Sequence, residues 1–105
     1  MTWHAWGLLL VLAPVLEEVV FRWGLQEALL ARGLSARRAQ GLTALAFAAA
    51  HLLLRGPSPW ALATVVPAWC LGEVYTRWRR LAPCIALHAL FNGVWGLFQI
   101  LVMER

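Results

Sequence analysis

Residues 16–22, Leu-Glu-Glu-Val-Val-Phe-Arg, decide how this chain can fold, because they place two adjacent carboxylates at the end of an apolar segment. An almost uninterrupted apolar run, residues 5–16, precedes them. Ionisable side chains are costly inside a membrane, and they usually mark a functional site with a partner that satisfies their charge. Glu17 and Glu18 therefore predict a buried polar site whose other members lie elsewhere in the chain.

The composition indicates a membrane protein. Of the 105 residues, 62% are hydrophobic and 13% are charged, whereas a soluble domain averages about 45–50% apolar and about 25% charged residues. The seven Trp residues agree with this, since Trp is enriched at membrane interfaces. The net charge of +4 does not indicate a nucleic-acid partner, because the arginines lie in short loops and no basic face carries stacking aromatics.

Four apolar stretches predict an all-α fold, a polytopic membrane bundle of about four transmembrane helices. Their expected bounds are residues 3–31, 36–54, 59–78 and 83–103. The first helix would be about 43 Å long, which exceeds a hydrocarbon core of about 30 Å. Tilt, an amphipathic end or a kink at Pro14 is therefore expected, and a second kink is expected at Pro67. Since no linker divides the chain, residues 1–105 are expected to form a single domain.

The arginines predict the orientation of these helices. The loop between the first two helices carries three arginines, and so does the loop between the last two, which four spans place on the same side. Arg55 and Arg105 lie on the opposite side. By the positive-inside rule the arginine-rich side is cytoplasmic and both termini face outward. The Arg-, Ala-, Leu- and Trp-rich composition is typical of a GC-rich bacterial genome, so a multi-pass protein of the bacterial inner (plasma) membrane is predicted.

Three of the predicted helices carry polar side chains, each with a second motif residue four positions away. This spacing places both members of a pair on one helix face, where they can interact. Glu17 has no such partner in its own helix, which leaves it free to face the other helices. The pairs are Glu18 with Arg22, Phe47 with His51, and His88 with Asn92.

This set of side chains predicts a hydrolytic site. A carboxylate beside imidazoles can hold and deprotonate a water, and imidazole and amide groups can donate to the oxyanion that forms on a carbonyl. Two alternatives remain: a zinc site with ligands Glu17, His51 and His88, and polar groups that only join the helices by hydrogen bonds. Zinc is not favoured because no HExxH motif is present, so no cofactor is expected.

The two histidines are predicted to lie at different distances from the arginine-rich end of the bundle. Straight helices that begin at the same depth would therefore keep them apart. His51 would lie about 22 Å from the arginine-rich end, and His88 only about 8 Å from it. A shared site therefore requires tilt, the kink at Pro67 or an offset between helices.

Three sequence blocks resemble the motifs of a known family. Residues 17–22 read EExxxR, residues 47–51 read FxxxH and residues 88–92 read HxxxN. Their order and spacing are similar to those of the CPBP (CAAX protease and bacteriocin-processing, or Abi) intramembrane proteases. The resemblance covers about residues 14–96. Trp23 stands where the family usually has Gly after the motif Arg, and the chain corresponds to the four-helix core of larger members.

The resemblance implies a glutamate-dependent peptidase inside the membrane. Glu17 would be the general base that activates water, with help from His51. His88 and Asn92 would stabilise the oxyanion.

The resemblance also implies the remaining roles and the partners. Glu18 would pair with Arg22 and hold the helix geometry. The substrate would be a membrane-anchored protein or peptide, cleaved near its C-terminus in CAAX-type or sorting-signal processing. The alternative is a non-catalytic immunity protein that binds a bacteriocin-like peptide. An oligomer or a partner chain could supply the substrate-binding elements that a bare four-helix core lacks.

Overall fold

The computed structural model describes residues 1–103, and within them all regular secondary structure is helical. Helix α1 covers residues 3–31, α2 covers Ala36–Arg55, α3 covers residues 59–78, and α4 covers Leu81–Phe98 and its extension Gln99–Met103. Each helix begins and ends within two residues of its predicted bounds. The all-α prediction is therefore confirmed.

Polar caps and left-handed residues set the helix ends. The hydroxyls of Ser35 and Ser58 accept backbone N–H groups at the starts of α2 and α3, at 3.2 and 3.0 Å. Gly33, with φ of 92°, follows α1, and Gly56, with φ of 86°, follows α2. Glycine adopts this left-handed backbone at no steric cost, which is why it commonly ends helices.

Helix α1 is not uniformly α-helical. The α-helical segment Ala13–Glu18 contains the glutamate pair and lies between two π-helical segments, Leu8–Leu12 and Val19–Gln26. π-helical turns are rare overall, but where they occur they are often at functional sites. The glutamates thus lie where the helix changes its hydrogen-bond register on either side.

Pro14 is linked to the first of these irregularities. The Ala13 N–H bonds to the Leu8 carbonyl, five residues back, so the next carbonyl, that of Leu9, faces a proline that has no N–H. The Asn92 amide of α4 donates to this carbonyl instead, at 2.7 Å. The irregularity expected at Pro14 is therefore a change of register that a neighbouring helix completes.

Helix α3 is interrupted at Thr64, between the segments Pro59–Ala63 and Val65–Trp78. Pro67 has no N–H to offer to the carbonyl of Ala63, four residues back, so the helix breaks one turn before the proline. The Thr64 hydroxyl donates to the Ala61 carbonyl at 2.6 Å and stabilises the break. The structure thus shows an interruption three residues before Pro67, and the kink predicted there stays a prediction.

The arginine-rich end is closed by contacts between α1 and α3. Arg79 has a left-handed backbone, with φ of 51°, and its N–H bonds to the Tyr75 carbonyl at 2.7 Å. Its guanidinium pairs with the Glu27 carboxylate, which also accepts the Tyr75 hydroxyl at 2.7 Å. The hydrogen bond to Glu27, and then that to Tyr75, raise the pKa of the Arg79 guanidinium. Arg79 therefore remains a cation that ties α3 to α1.

The surface is apolar and the interior is rich in small and polar residues. Large apolar side chains are exposed on every helix, for example Val11, Leu53, Val66 and Leu90. Among the described residues, the polar side chains buried in the interior are Glu18, Arg22, Gln26, Gln40, Thr43 and His88. This inversion is typical of helices that pack in lipid.

Length and apolar content single out one membrane-capable helix among residues 1–103. It is residues Leu81–Met103 of α4. The four-span arrangement stays a prediction.

Candidate active site

Glu18 and Arg22 form a buried ion pair, as their spacing predicts. Arg22 Nε donates to Glu18 Oε1 at 2.9 Å, and both side chains are fully buried. A buried pair is stable only when its remaining lone pairs and protons also find partners. The surroundings of Arg22 provide them.

A buried polar layer extends from this pair to α3. Arg22 also donates to the Ala68 carbonyl at 3.2 Å and to Gln26 Oε1 at 3.4 Å. Gln26 Nε2 in turn donates to the Gly72 carbonyl and to the Thr76 hydroxyl, both at 3.2 Å. The charge of Arg22 is therefore satisfied by main-chain and amide oxygens as well as by Glu18.

Gln40 joins α2 to the same layer. Its amide donates to the Trp69 carbonyl at 3.0 Å and to the Glu73 carboxylate at 3.1 Å. A Cβ at Gly72 would lie 2.7 Å from Gln40 Cγ, so glycine is required there for the helices to approach. Sequence reasoning missed Gln26 and Gln40. The spacing of Gln26, four residues after Arg22, could have identified it as a member of the buried layer, whereas no sequence pattern marks Gln40.

Glu18 has a second partner, on α4. Its Oε2 accepts the His88 Nδ1–H at 2.7 Å, between side chains that are 0 and 5% exposed. A histidine that donates one ring nitrogen to a carboxylate presents the other in a fixed tautomer and orientation. Glu18 therefore orients His88 in addition to pairing with Arg22.

Glu17 faces both imidazoles without a direct hydrogen bond to either. Its Oε1 lies 3.6 Å from His88 Nε2 and 3.8 Å from His51 Nε2. Both distances exceed those of N–H···O hydrogen bonds, about 2.7–3.2 Å. The Glu17 side chain is 26% exposed, so water can reach it. A water bonded to Oε1 can thus contact an imidazole as well.

Phe47 fixes the orientation of both imidazoles. Its carbonyl accepts the His51 Nδ1–H at 2.9 Å, which leaves His51 Nε2 toward Glu17. The Phe47 ring stacks on His51 at 4.4 Å and meets His88 edge-on at 5.9 Å, both measured between ring centroids. The FxxxH spacing therefore supplies both a main-chain acceptor and a wall for the site.

The two histidines meet at one carboxylate although they lie at different positions along their helices. His51 lies fifteen residues from the start of α2, and His88 lies seven from the start of α4. Both imidazoles nevertheless come within 3.6 and 3.8 Å of Glu17 Oε1. If the helix axes were parallel, α4 would begin about 12 Å deeper in the bundle than α2.

Asn92 lies beside this group, and its observed contact is structural. One N–H of its amide donates to the Leu9 carbonyl, and the side chain also lines the cavity that Glu17 faces. Its role at the oxyanion stays a prediction. Trp23, the departure from the family pattern, is 59% exposed and points away from the buried ion pair.

The site opens into a cavity of about 380 Å³. Glu17, His51, His88 and Asn92 line its polar part, and aromatic side chains line much of the rest. Of these, Trp60 and Trp95 also pack against Phe98, which lies outside the cavity lining, with ring centroids 5.2–5.9 Å apart in the cluster. The cavity reaches the α2–α3 loop, where it is lined by Arg55 and Ser58.

Residues 1–94 match the model of a protein family described as type II CAAX prenyl endopeptidase Rce1-like. The chain belongs to the Rce1-like family. No curated protein and no solved structure matches it. Membership confirms the family that the three motifs predict, and with it a membrane-embedded protease of the CAAX type.

The matched region of this Rce1-like protein contains all six predicted site residues. The structure brings five of them into one connected group: Glu17, Glu18, Arg22, His51 and His88. Asn92 lines the same cavity. Their catalytic roles stay predictions.

A metal ion was the alternative for the same side chains. Across residues 1–103, no group of three or more His, Cys, Asp or Glu side chains is arranged to hold one. The expectation that no cofactor is needed remains a prediction for a chelation experiment.

Proposed function

We propose that this chain is a glutamic-type intramembrane endopeptidase that hydrolyses a peptide bond near the C-terminus of a membrane-anchored protein or peptide. One observation carries the proposal. The Glu17 carboxylate, 3.6 and 3.8 Å from two imidazole nitrogens, faces a cavity instead of an ion-pair partner. This is the arrangement that a general base for water requires.

The reaction begins with a water bound to Glu17. Glu17 accepts a proton from this water as its oxygen attacks the substrate carbonyl carbon, and a tetrahedral intermediate forms. Glu17 then returns the proton to the amide nitrogen, the C–N bond breaks, and the amine leaves. His51 Nε2, held toward Glu17 by the bond from Nδ1 to Phe47, accepts a hydrogen bond from the second O–H of the water and so orients the nucleophile. That proton stays on the new carboxyl group of the product and leaves when the acid ionises.

The oxyanion is stabilised by groups of α4. When His88 carries a second proton, its Nε2–H donates to the oxyanion while Glu18 balances the imidazolium charge through Nδ1. The second N–H of Asn92 adds a neutral donor, since only one of its two is used by Leu9. Glu18 and Arg22 act through geometry, because they hold His88 and the helix in place.

We further propose that all four helices cross a bacterial inner membrane as one domain, residues 1–105. Of the charged side chains of α1 that lower its hydropathy, Glu18 and Arg22 are buried against other helices, Glu17 faces the cavity, and Glu27 lies at the arginine-rich end. The opposite face of α1 presents Leu12, Leu16 and Val20. Lipid would therefore meet an apolar surface on α1, with the arginine-rich end in the cytoplasm.

The test is cleavage of a farnesylated CAAX peptide by the purified protein in liposomes, with the products identified by mass spectrometry. The wild-type protein is expected to release the residues after the farnesylated cysteine. Glu17→Gln is expected to lower the rate by about 10³-fold, within the range for a general base. Glu73→Gln, which removes the charge of an exposed ion pair but keeps an oxygen that can accept the Gln40 amide, serves as the matched control and should retain activity.

Two results separate this proposal from its alternatives. Binding of the peptide without cleavage by the wild-type protein would favour the non-catalytic immunity function. Loss of activity on treatment with a strong chelator, and its return with zinc, would favour the metal site. Undiminished cleavage by Glu17→Gln would contradict the general-base role.

A further inference from the structure

One side chain of the cavity has no role in the proposed chemistry. Arg55 lies in the last turn of α2, four residues after His51, and lines the same cavity. Among residues 1–103 no carboxylate pairs with it, in contrast to Arg22, Arg77 and Arg79, which each contact a glutamate. Arg55 is therefore a cation at the cavity wall that no carboxylate among the described residues neutralises.

The lining of the cavity carries a negative charge near His51 and a positive charge one helical turn further along α2. Glu17, which lies beside His51, is the acidic residue among the lining side chains. Arg55 is the one arginine among them. A ligand carboxylate would be repelled near Glu17 and attracted near Arg55. An arginine can bind a carboxylate through two parallel N–H···O bonds, which fixes orientation as well as position.

We infer that Arg55 binds the C-terminal carboxylate of the substrate and so sets both the direction of the peptide and the distance from its end at which it is cut. The inference rests on the proposed peptidase function. It adds a specificity-determining residue to the cavity lining, one helical turn beyond His51.

The spacing determines which peptide bond is presented. Four residues of α-helix separate His51 from Arg55 by a rise of about 6 Å, and the arginine side chain extends this distance further. An extended peptide covers about 3.3 Å per residue. The carboxylate at Arg55 would therefore belong to a fragment of about two to four residues beyond the bond that is cleaved.

The experiment compares two forms of one farnesylated CAAX peptide, with a free C-terminal carboxylate or with a C-terminal amide. Binding is measured by tryptophan fluorescence, since Trp60 and Trp95 line the cavity. Glu17→Gln is the background protein, so that the peptide stays intact. The carboxylate form is expected to bind about 10-fold or more tightly than the amide. Adding Arg55→Gln is expected to abolish that preference.

Two further variants distinguish anchoring from a general effect of charge. Arg55→Lys keeps the charge without the planar guanidinium, so part of the preference should remain. Arg77→Gln removes an exposed arginine from the other end of the bundle and should leave the preference unchanged. Equal binding of the two peptides, absence of binding by both, or a preference that survives Arg55→Gln would overturn the assignment.

Cleavage assays separate this inference from the proposed function. With Glu17 intact, Arg55→Gln is expected to raise KM for the carboxylate peptide about 10-fold and to leave kcat nearly unchanged. Cleavage of both peptides with equal KM would retain the peptidase and reject the role of Arg55. Preferential binding of the carboxylate form without cleavage would reject the peptidase and retain the role of Arg55.

Discussion

Glu17 and Glu18 are neighbours in sequence and differ in almost every physical respect. Glu18 is fully buried, and it accepts hydrogen bonds from Arg22 Nε at 2.9 Å and from His88 Nδ1 at 2.7 Å. Glu17 is 26% exposed, and the nearest imidazole nitrogens lie at 3.6 and 3.8 Å. One carboxylate is held by its partners, and the other keeps lone pairs that water can use. From this comparison we predict that Glu18 acts through structure and Glu17 through chemistry.

The largest effect is expected from removing the cation that satisfies Glu18. Arg22→Met leaves a buried carboxylate without its guanidinium and also removes the hydrogen bond that ties α1 to the Ala68 carbonyl of α3. Breaking a buried pair costs about 3–5 kcal/mol, so little folded protein should be recovered. The measurement is the folded yield and melting temperature in detergent.

Arg77→Met is the matched control for this variant. Arg77 pairs with Glu73 at 3.2 Å on the exposed surface, and exposed pairs contribute about 0.2–1 kcal/mol. Equal losses in the two variants would show that the buried polar layer has no special role in stability.

An intermediate effect is expected where the buried polar layer requires close helix packing. Gly72→Ala places a Cβ 2.7 Å from Gln40 Cγ and 3.4 Å from Gln26 Oε1. Overpacking of this kind costs about 1–3 kcal/mol. Gly7→Ala is the control, because no heavy atom outside its own helical neighbourhood lies within 4 Å of a Cβ there. Thermal unfolding of both variants tests this, and an unchanged melting temperature for Gly72→Ala would contradict the packing.

The part of the site that the sequence predicts is the part that is local. Pairing of Glu18 with Arg22 follows from helical periodicity alone, because residues four apart share a helix face. The three motifs likewise identify Glu17, His51 and His88 without any knowledge of how the helices pack.

Contacts between helices could not be predicted in the same way. Bonds from Gln26 to Gly72 and from His88 to Glu18 depend on the offset and rotation of neighbouring helices. Periodicity identifies the polar face of a helix, but it does not determine the depth at which another helix meets that face. The meeting of His51 and His88 at Glu17 is for this reason seen only in the structure.

The smallest effect is expected for the coupling between Asn92 and Pro14. Asn92→Leu leaves the Leu9 carbonyl without its donor, at a cost of about 1–3 kcal/mol. Pro14→Ala supplies a backbone N–H that can bond to that carbonyl. Asn92→Leu should therefore cost about 1 kcal/mol less in the Pro14→Ala background than in the wild type, measured as a double-mutant cycle. Additive losses would show that Pro14 does not create the need for Asn92.

The most direct test of the central claim measures Glu17→Gln and Glu18→Gln side by side, for melting temperature in detergent and for peptide cleavage in liposomes. Glu17→Gln should keep the wild-type melting temperature and lose about 10³-fold in cleavage rate. Glu18→Gln should lower the melting temperature by about 4 °C or more, since its ion pair and its hydrogen bond to His88 are both weakened. Undiminished cleavage by Glu17→Gln, or a larger loss of stability in Glu17→Gln than in Glu18→Gln, would contradict the division of roles between the two carboxylates.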